Sequence, residues 1–144
     1  MGFTDTGLLP LKAASAMAQW VPVGPAAAGS QLSETVIPLS DTTVMPLGIN
    51  TATIPTYGGA AAVAFKGQRA YAVAGASLGM GAQVGIASTN GALGPITASG
   101  IAAIASGVPA AVAAVAARFS VGRALKNAAT GDHFPILVDP AQVI

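Results

Sequence analysis

The chain has 144 residues and a mass of 13.9 kDa, with 53% hydrophobic residues, 8% charged residues and a net charge of +1. An ordinary soluble domain carries about 25% charged residues. Six Lys and Arg against five Asp and Glu create no strong positive field for nucleic acid, and the absence of Cys excludes disulfides, thiolate catalysis and zinc fingers. So little charge predicts a chain that enters a membrane or covers much of its surface with other protein.

Residues 1–32 are predicted to form an N-terminal arm, and residues 33–144 a β domain. Three prolines remove backbone donors from the arm: Pro10, Pro22 and Pro25. The segment between the first two is too short to close a core alone, so we expect the arm to order against a neighbour. Met17 and Trp20 are its candidate interface anchors. For Trp20, the only Trp, covering the domain's own core is the competing interpretation.

Residues 33–57 contain three short apolar or β-branched strings, TVIPLS, TVMPLG and ATIPTYG, each with a proline in the middle. Proline cannot donate to a β ladder, and the residue before it is restricted to extended backbone. The pattern therefore predicts short strands at sheet edges, linked by turns. The three prolines are candidate interface residues: Pro38, Pro46 and Pro55.

Alternating apolar residues predict strands over 60–67 and 68–75, joined as a hairpin. A turn at 79–81 precedes a further strand at 83–87. Asn90-Gly91 is another strong turn signal. This part of the chain therefore has the strand spacing of an all-β domain.

The Ala-rich segment 98–117 is ambiguous. Its valines have helical spacing and Ala has the highest helix propensity, which predicts a short helix over 108–117, with a strand as the alternative. Residues 101–117, IAAIASGVPAAVAAVAA, reach only the lower length limit of a transmembrane span, and a glycine and a proline interrupt them. A membrane span is therefore the less favoured interpretation.

The last part of the chain predicts two strands, 118–125 and 133–140, around a short loop. Gly122 is the expected site of a β-bulge. Gly131, in the loop, is expected to adopt positive φ. Apolar residues alternate along the second strand, which should place them on one buried face.

Little in the sequence supports catalysis. His133, the only histidine, follows Asp132, but no GxSxG motif accompanies them, and a solvated turn histidine is the simpler interpretation. No two acidic residues are closer than seven positions apart, which offers no obvious metal site. We therefore predict no enzyme, no metal and no cofactor.

Two other patterns have a simple structural interpretation. Glycines at 79, 81 and 85 spell GxGxxxG, one residue too long for the dinucleotide-binding fingerprint, and favour a β-turn. Arg118, Arg123 and Lys126 form the only basic cluster. They predict either a solvated strand face or docking onto an acidic protein surface, where Arg binds carboxylates in a bidentate manner. Arg118 and Arg123 are therefore further candidate interface residues.

The strings VGRALKNAATGDHFPILVDP (121–140) and AVAGASLGMGAQV (72–84) resemble the small decoration, or cement, proteins of tailed-phage heads. In that family a strand ending in Gly-x-Ala-Leu, an Ala-rich loop with a Gly-acid pair and a final apolar strand recur near the C-terminus. The matching positions are Gly122, Ala124, Leu125, Ala128, Ala129, Gly131, Asp132 and 134–138, with Gly75, Ala76, Leu78 and Gly81 upstream. The resemblance covers mainly 60–91 and 118–140.

This resemblance implies a mainly β fold, a compact β-barrel or β-sandwich with an extended N-terminal arm. Family members are commonly homotrimers that bind the outside of the capsid at three-fold or quasi-three-fold positions and bridge neighbouring capsomers. With the low charge, it predicts a structural virion protein on the outer capsid surface, whose partners are the major capsid protein and itself, without nucleic acid or membrane. The alternatives are another head or tail subunit and, less favoured, a small Ala-rich membrane protein.

Overall fold

The computed structural model describes residues 8–26, 35–55, 59–97 and 118–143. The regular secondary structure within these ranges consists of β-strands alone, which confirms the prediction of a mainly β fold. The ten strands are β1 (Leu8–Ala13), β2 (Pro22–Pro25), β3 (Thr35–Pro38), β4 (Gly48–Asn50), β5 (Ala60–Ala64), β6 (Arg69–Val73), β7 (Gln83–Ile86), β8 (Leu93–Pro95), β9 (Arg118–Ala124) and β10 (His133–Val143). The predicted helix at 108–117 and the membrane-span alternative at 101–117 lie outside the described residues.

Strands β1 to β5 form a closed barrel in the order β1-β3-β2-β4-β5. Its neighbouring strands are antiparallel, except that β1 and β3 run parallel. Small and β-branched side chains suit the narrow interior of a five-stranded barrel. The buried cluster inside it consists of Ala13, Met17, Val23, Val36, Ile54, Ala61 and Val63.

Strands β6 to β10 form a second sheet in the order β6-β10-β9-β7-β8, in which all neighbours are antiparallel. The inner strand β10 has strictly alternating side chains at its start. Phe134, Ile136 and Val138 are fully buried, as the period-2 pattern predicts, while the residues between them face outward.

The barrel and the second sheet share one core. Leu39, Ile49 and Ala64 of the barrel half belong to the same buried cluster as Leu93 and Phe134 of the second sheet. The turn after β5 also bridges the two halves, because the backbone N–H of Gly67 donates to the carbonyl of Val138 at 2.7 Å. The described residues therefore pack as one unit around apolar side chains from both halves.

The described part of the predicted arm lies inside this unit. Strand β1 pairs with β5 from Leu8↔Ala64 to Lys12↔Ala60, and β2 pairs with both β3 and β4. Closing the barrel needs these two strands, because without them β3, β4 and β5 would expose unpaired edges. Residues 8–26, which lie before the predicted boundary at 32/33, are therefore part of the barrel rather than a separate arm.

The predicted hairpin over 60–75 is wrong, although its turn is present. Gly67 has a φ of +88°, and the N–H of Gln68 donates to the carbonyl of Phe65 at 3.0 Å. The strands on either side do not pair with each other, because β5 pairs with β1 and β4 whereas β6 pairs with β10. The turn passes the chain from the barrel to the second sheet.

The bulge predicted at Gly122 occurs in the strand opposite. The register runs Val138↔Gly122 and then Ala141↔Ser120, so β10 contains the extra residue and β9 does not. Gly122 serves a different purpose, because a Cβ on it would lie 2.1 Å from the carbonyl oxygen of Leu137. Gly131 has the expected positive φ, at +91°.

Candidate functional site

Asp132 and His133, the pair weighed as catalytic candidates in the sequence, belong to an ordinary turn. His133 is exposed at the start of β10, and Asp132 Oδ2 accepts the backbone N–H of Ala129 at 2.9 Å. This bond closes the turn that precedes β10. Across the described ranges, no three His, Cys, Asp or Glu side chains are grouped so that they could hold a metal ion.

The glycine-rich stretch at 79–85 forms a turn, as predicted. The N–H of Ala82 donates to the carbonyl of Gly79 at 3.1 Å, and Gly81 has a φ of +83°. The intervening amides bind within the chain: Met80 N–H donates to Asn127 Oδ1 and Gly81 N–H to the carbonyl of Ala124, both at 2.7 Å. Amides held in this way do not form a phosphate cradle.

Met17 is a core residue rather than a surface anchor. Its side chain is 4% exposed and belongs to the barrel's buried cluster. Its backbone exchanges two 2.8 Å hydrogen bonds with Ile54. The prediction of an interface role for Met17 is therefore wrong in the folded chain, because the barrel itself uses this apolar side chain.

The three predicted proline contacts do not form one surface. Pro38 is half-buried at the end of β3, opposite Val23. Pro46 is buried, so it offers no contact to a partner. Pro55 is exposed just after Ile54. Pro38 ends a strand and Pro55 follows the bridge residue Ile54, whereas Pro46 follows a bend and precedes β4. Of the three, only Pro55 is exposed.

Trp20 lies where the barrel meets the second sheet. It is half-buried against the shared core, and its ring makes an edge-to-face contact with Tyr71 at 5.5 Å between ring centroids and 63° between planes. The side chain therefore covers the chain's own core, as the competing interpretation of the sequence expects. Trp20 also lines a groove of about 700 Å³ together with Thr51, Ala64, Gln68, Arg69, Ala70 and Tyr71.

The backbone of Trp20 is held in an unusual conformation. Its φ is +67°, a left-handed value that costs a bulky residue about 1–3 kcal/mol. Its N–H donates to the carbonyl of Asn50 at 2.7 Å. The buried Asn50 side chain then donates through Nδ2 to the carbonyls of Ala18, at 2.9 Å, and Ala52, at 2.5 Å. Asn50 thus fixes the segment that presents Trp20, a role that the sequence pattern did not reveal.

The outward side of the second sheet carries an apolar strip between two guanidinium groups. Leu137 pairs with Arg69 on β6 and with Arg123 on β9, and cross-strand partners point to the same side. One strand spacing on each side places the two Arg Cα atoms roughly 10 Å apart. The next row contains Tyr71 opposite Pro135, whose carbonyl accepts the N–H of Leu125 at 2.9 Å. We call the following residues the cationic face: Arg69, Tyr71, Arg123, Leu125 and Leu137.

The part of the chain that the structure describes places little compensating charge on the cationic face. Arg69 has no hydrogen bond or ion pair with the residues that the structure describes. Arg123 makes one long contact, from Nη1 to the carbonyl of Gly81 at 3.4 Å. An ion pair of 3.6 Å between Lys66 and Asp139 lies on the surface nearby and contributes little to stability. Among the described residues, no carboxylate therefore pairs with either guanidinium group of the cationic face.

Arg118 does not belong to this face, although the sequence grouped it with Arg123. It lies at the other end of β9, opposite Val143, and its Nη2 donates to the carbonyl of Thr97 at 2.6 Å. The sequence missed Arg69, because only the pairing of β6 with β10 brings it to the same surface as Arg123.

A second surface is formed by residues 41–47, which we call the apolar loop. Its exposed large hydrophobic side chains are Val44, Met45 and Leu47. The loop is held at both ends, since the carbonyl of Thr42 accepts the N–H of Phe119 and the N–H of Leu47 donates to the carbonyl of Val23, both at 2.8 Å. Apolar side chains on an anchored loop are typical of a protein contact.

A carboxylate stands at the start of the apolar loop. Asp41 accepts the hydroxyl of Thr43 at 2.5 Å and its backbone N–H at 2.8 Å. These hydrogen bonds, the hydroxyl first, hold the pKa of Asp41 below its ordinary value of 3.8. The loop therefore presents a negative charge beside three apolar side chains at neutral pH.

Comparison with known proteins finds no family model and no curated protein that matches this chain. Within the described ranges, no helix has the length and apolar character needed to cross a membrane.

Proposed function

We propose that this chain is a structural, non-enzymatic virion protein that binds the outside of an assembled phage capsid and cements neighbouring capsomers. The observation that carries the proposal is the exposure of large hydrophobic side chains on a chain with 8% charged residues. Those exposed on the described surface are Val44, Met45, Leu47, Tyr71, Met80, Leu125 and Leu137. Covering such side chains is worth about 25 cal/mol per Å² of apolar area, which favours assembly over a free monomer.

The proposed mechanism is thermodynamic. A protein that binds the assembled lattice but not free capsid subunits stabilises the lattice by its binding free energy. Bridging several capsomers at once adds the advantage of multivalency. The proposed partners are the major capsid protein and further copies of the chain as a homotrimer, with no nucleic acid and no membrane.

The candidate contact residues are now fewer than the sequence suggested. Pro55 and Arg123 are exposed, and Trp20, Pro38 and Arg118 are half-buried, whereas Met17 and Pro46 are buried. The small-residue turns that carry the resemblance to phage cement proteins support the phage setting of the proposal.

Immunoelectron microscopy of virus particles tests the proposal. Particles induced from the source organism would be banded by density, treated with nuclease and labelled with antibodies raised against the purified chain. We expect label on the heads and none on the tails. Label confined to tails would favour the alternative virion subunit, and particles without the chain would refute a virion role.

Reconstitution tests the cementing step separately. Heads depleted of the chain would be mixed with purified chain and heated until they release DNA. We expect the release temperature to rise with added chain and to stay constant with an unrelated β protein at equal concentration. Binding without a rise in release temperature would contradict cementing.

A further inference from the structure

Two described surfaces have complementary chemistry. The cationic face presents apolar side chains between two guanidinium groups, whereas the apolar loop presents three apolar side chains beside the Asp41 carboxylate. A guanidinium binds a carboxylate through paired hydrogen bonds, which adds direction to the apolar contact. Both surfaces thus expose apolar side chains, and their charges have opposite signs.

These two surfaces do not meet within one copy. Thr42 of the apolar loop is bonded to Phe119, which pairs with Gln142 of β10. Leu137, at the centre of the cationic face, lies five residues earlier in the same strand, which corresponds to roughly 17 Å. Contact between the two surfaces therefore requires two molecules.

We propose that the apolar loop of one copy docks onto the cationic face of a second copy, with Asp41 placed between Arg69 and Arg123. Val44, Met45 and Leu47 would then cover Leu137, Leu125 and Tyr71. Because the contact joins two different surfaces, each copy can use both, which allows a closed ring. The inference rests on the self-association included in the proposed function and names the interface that produces it.

Charge argues for this occupant over a nucleic acid. The described residues contain only six Lys and Arg, and one of them, Lys66, is paired with Asp139. Nucleic-acid binders typically neutralise about 6–10 phosphates, and the apolar strip between the two Arg of the face would gain nothing from a phosphate backbone. A short carboxylate-bearing apolar segment fits the face better, and the apolar loop is such a segment.

A charge exchange tests the pairing. Sedimentation velocity over a concentration series would compare the wild type with Asp41→Lys, with Arg69→Glu/Arg123→Glu, and with all three changes combined. We expect each of the first two variants to weaken self-association about tenfold, and the combined variant to recover most of that loss. Lys12→Glu, a charge reversal on an exposed residue of β1, is the matched control and should leave association unchanged.

Each other result has a definite meaning. A wild type that stays monomeric at every concentration overturns both this interface and the homotrimer of the proposed function. Association that none of the charge changes affects overturns this interface alone. The interface is also overturned if Asp41→Lys and Arg69→Glu/Arg123→Glu each weaken self-association but their combination does not restore it. The two surfaces then do not contact each other. Thermal unfolding of every variant, followed by circular dichroism, shows whether a loss reflects unfolding instead; a variant that unfolds is replaced by Asp41→Asn or Arg69→Gln/Arg123→Gln.

Discussion

The backbone of Gly122 packs directly against the carbonyl oxygen of Leu137 in the neighbouring strand. A Cβ at Gly122 would lie 2.1 Å from that oxygen, far inside van der Waals contact. The obstacle is backbone, so no rotamer change relieves it. This contact lies directly beneath the Leu137 row of the cationic face, and it lets β9 approach β10 where the bulge displaces the ladder.

Substituting Gly122→Ala should therefore destabilise the fold by about 3 kcal/mol, because β9 and β10 must separate at the centre of the sheet. Urea unfolding measures the loss. Gly79→Ala is the matched control, since nothing lies within 4 Å of the position of its Cβ. Equal stability of the two variants would contradict the close approach.

Replacing the Asn50 side chain should also destabilise the fold. Asn50→Leu keeps the branched shape of the side chain but leaves the carbonyls of Ala18 and Ala52 without this donor. A fully buried acceptor left unsatisfied costs about 1–3 kcal/mol. Because both bonds are only part-buried, we expect a loss of about 2 kcal/mol in thermal or urea unfolding. Thr35→Val is the contrasting variant. The Thr35 hydroxyl is buried with no hydrogen-bond partner among the described residues, so its removal should cost little or raise stability.

The contact between Trp20 and Tyr71 has an optical consequence. Trp20 is the only Trp, so fluorescence reports on this position alone. Tyr71→Ala removes the ring 5.5 Å away and should expose the indole, which shifts its emission to longer wavelength. Tyr71→Phe keeps the ring and should leave the spectrum unchanged. A red shift in both variants would show that the hydroxyl, not the ring, shields the indole.

Deleting residues 1–20 should unfold the barrel rather than leave an intact body without an arm. The deletion removes β1, which pairs with both β3 and β5, and the buried Met17. Circular dichroism should show loss of strand signal and of the cooperative thermal transition. Deleting residues 1–7 retains every described strand and should preserve the transition. A cooperative 21–144 fragment would contradict the role of β1 in closing the barrel.

Asp41 should titrate below its ordinary pKa of 3.8, because the Thr43 hydroxyl and N–H bind its charged form. A pKa lower in the folded than in the unfolded chain stabilises the fold above the unfolded pKa. This contribution is lost as the pH falls through the folded pKa. Carbon-13 NMR of the carboxyl group measures the midpoint. Thr43→Val should raise it, and an unchanged midpoint would show that the hydroxyl is not the dominant cause.

Local signals in the sequence predicted the strands β5, β6, β7, β9 and β10 and several turns, but not β1, β2 or β8. Period-2 alternation identified the buried residues of β10, and glycine identified the turns at 79–82 and before His133. Pairing was harder to predict, because the same turn chemistry at Gly67 serves a hairpin or a crossover between sheets. Which strand a segment joins depends on partners far away in the chain, and only the three-dimensional arrangement reveals it.

The candidate surfaces show the same limit. Arg123 could be selected from the sequence because basic residues cluster around it, but Arg69 comes from a distant strand and carries no local signal. Met17 was misassigned because an Ala-rich segment with prolines resembles an arm, whereas its Met fills a narrow barrel. Exposure of the apolar loop depends on two backbone bonds at its ends, which no composition predicts.

The position of β10 in its sheet also constrains how the chain is made. It is an inner strand that pairs with β6 and β9, yet it follows both in sequence. During translation, the barrel strands through Ala64 leave the ribosome long before β10 does. Until then β6 lacks the strand with which it pairs, and the apolar residues that pack against Phe134 stay uncovered. A stalled ribosome would therefore hold a completed barrel beside an open, aggregation-prone half.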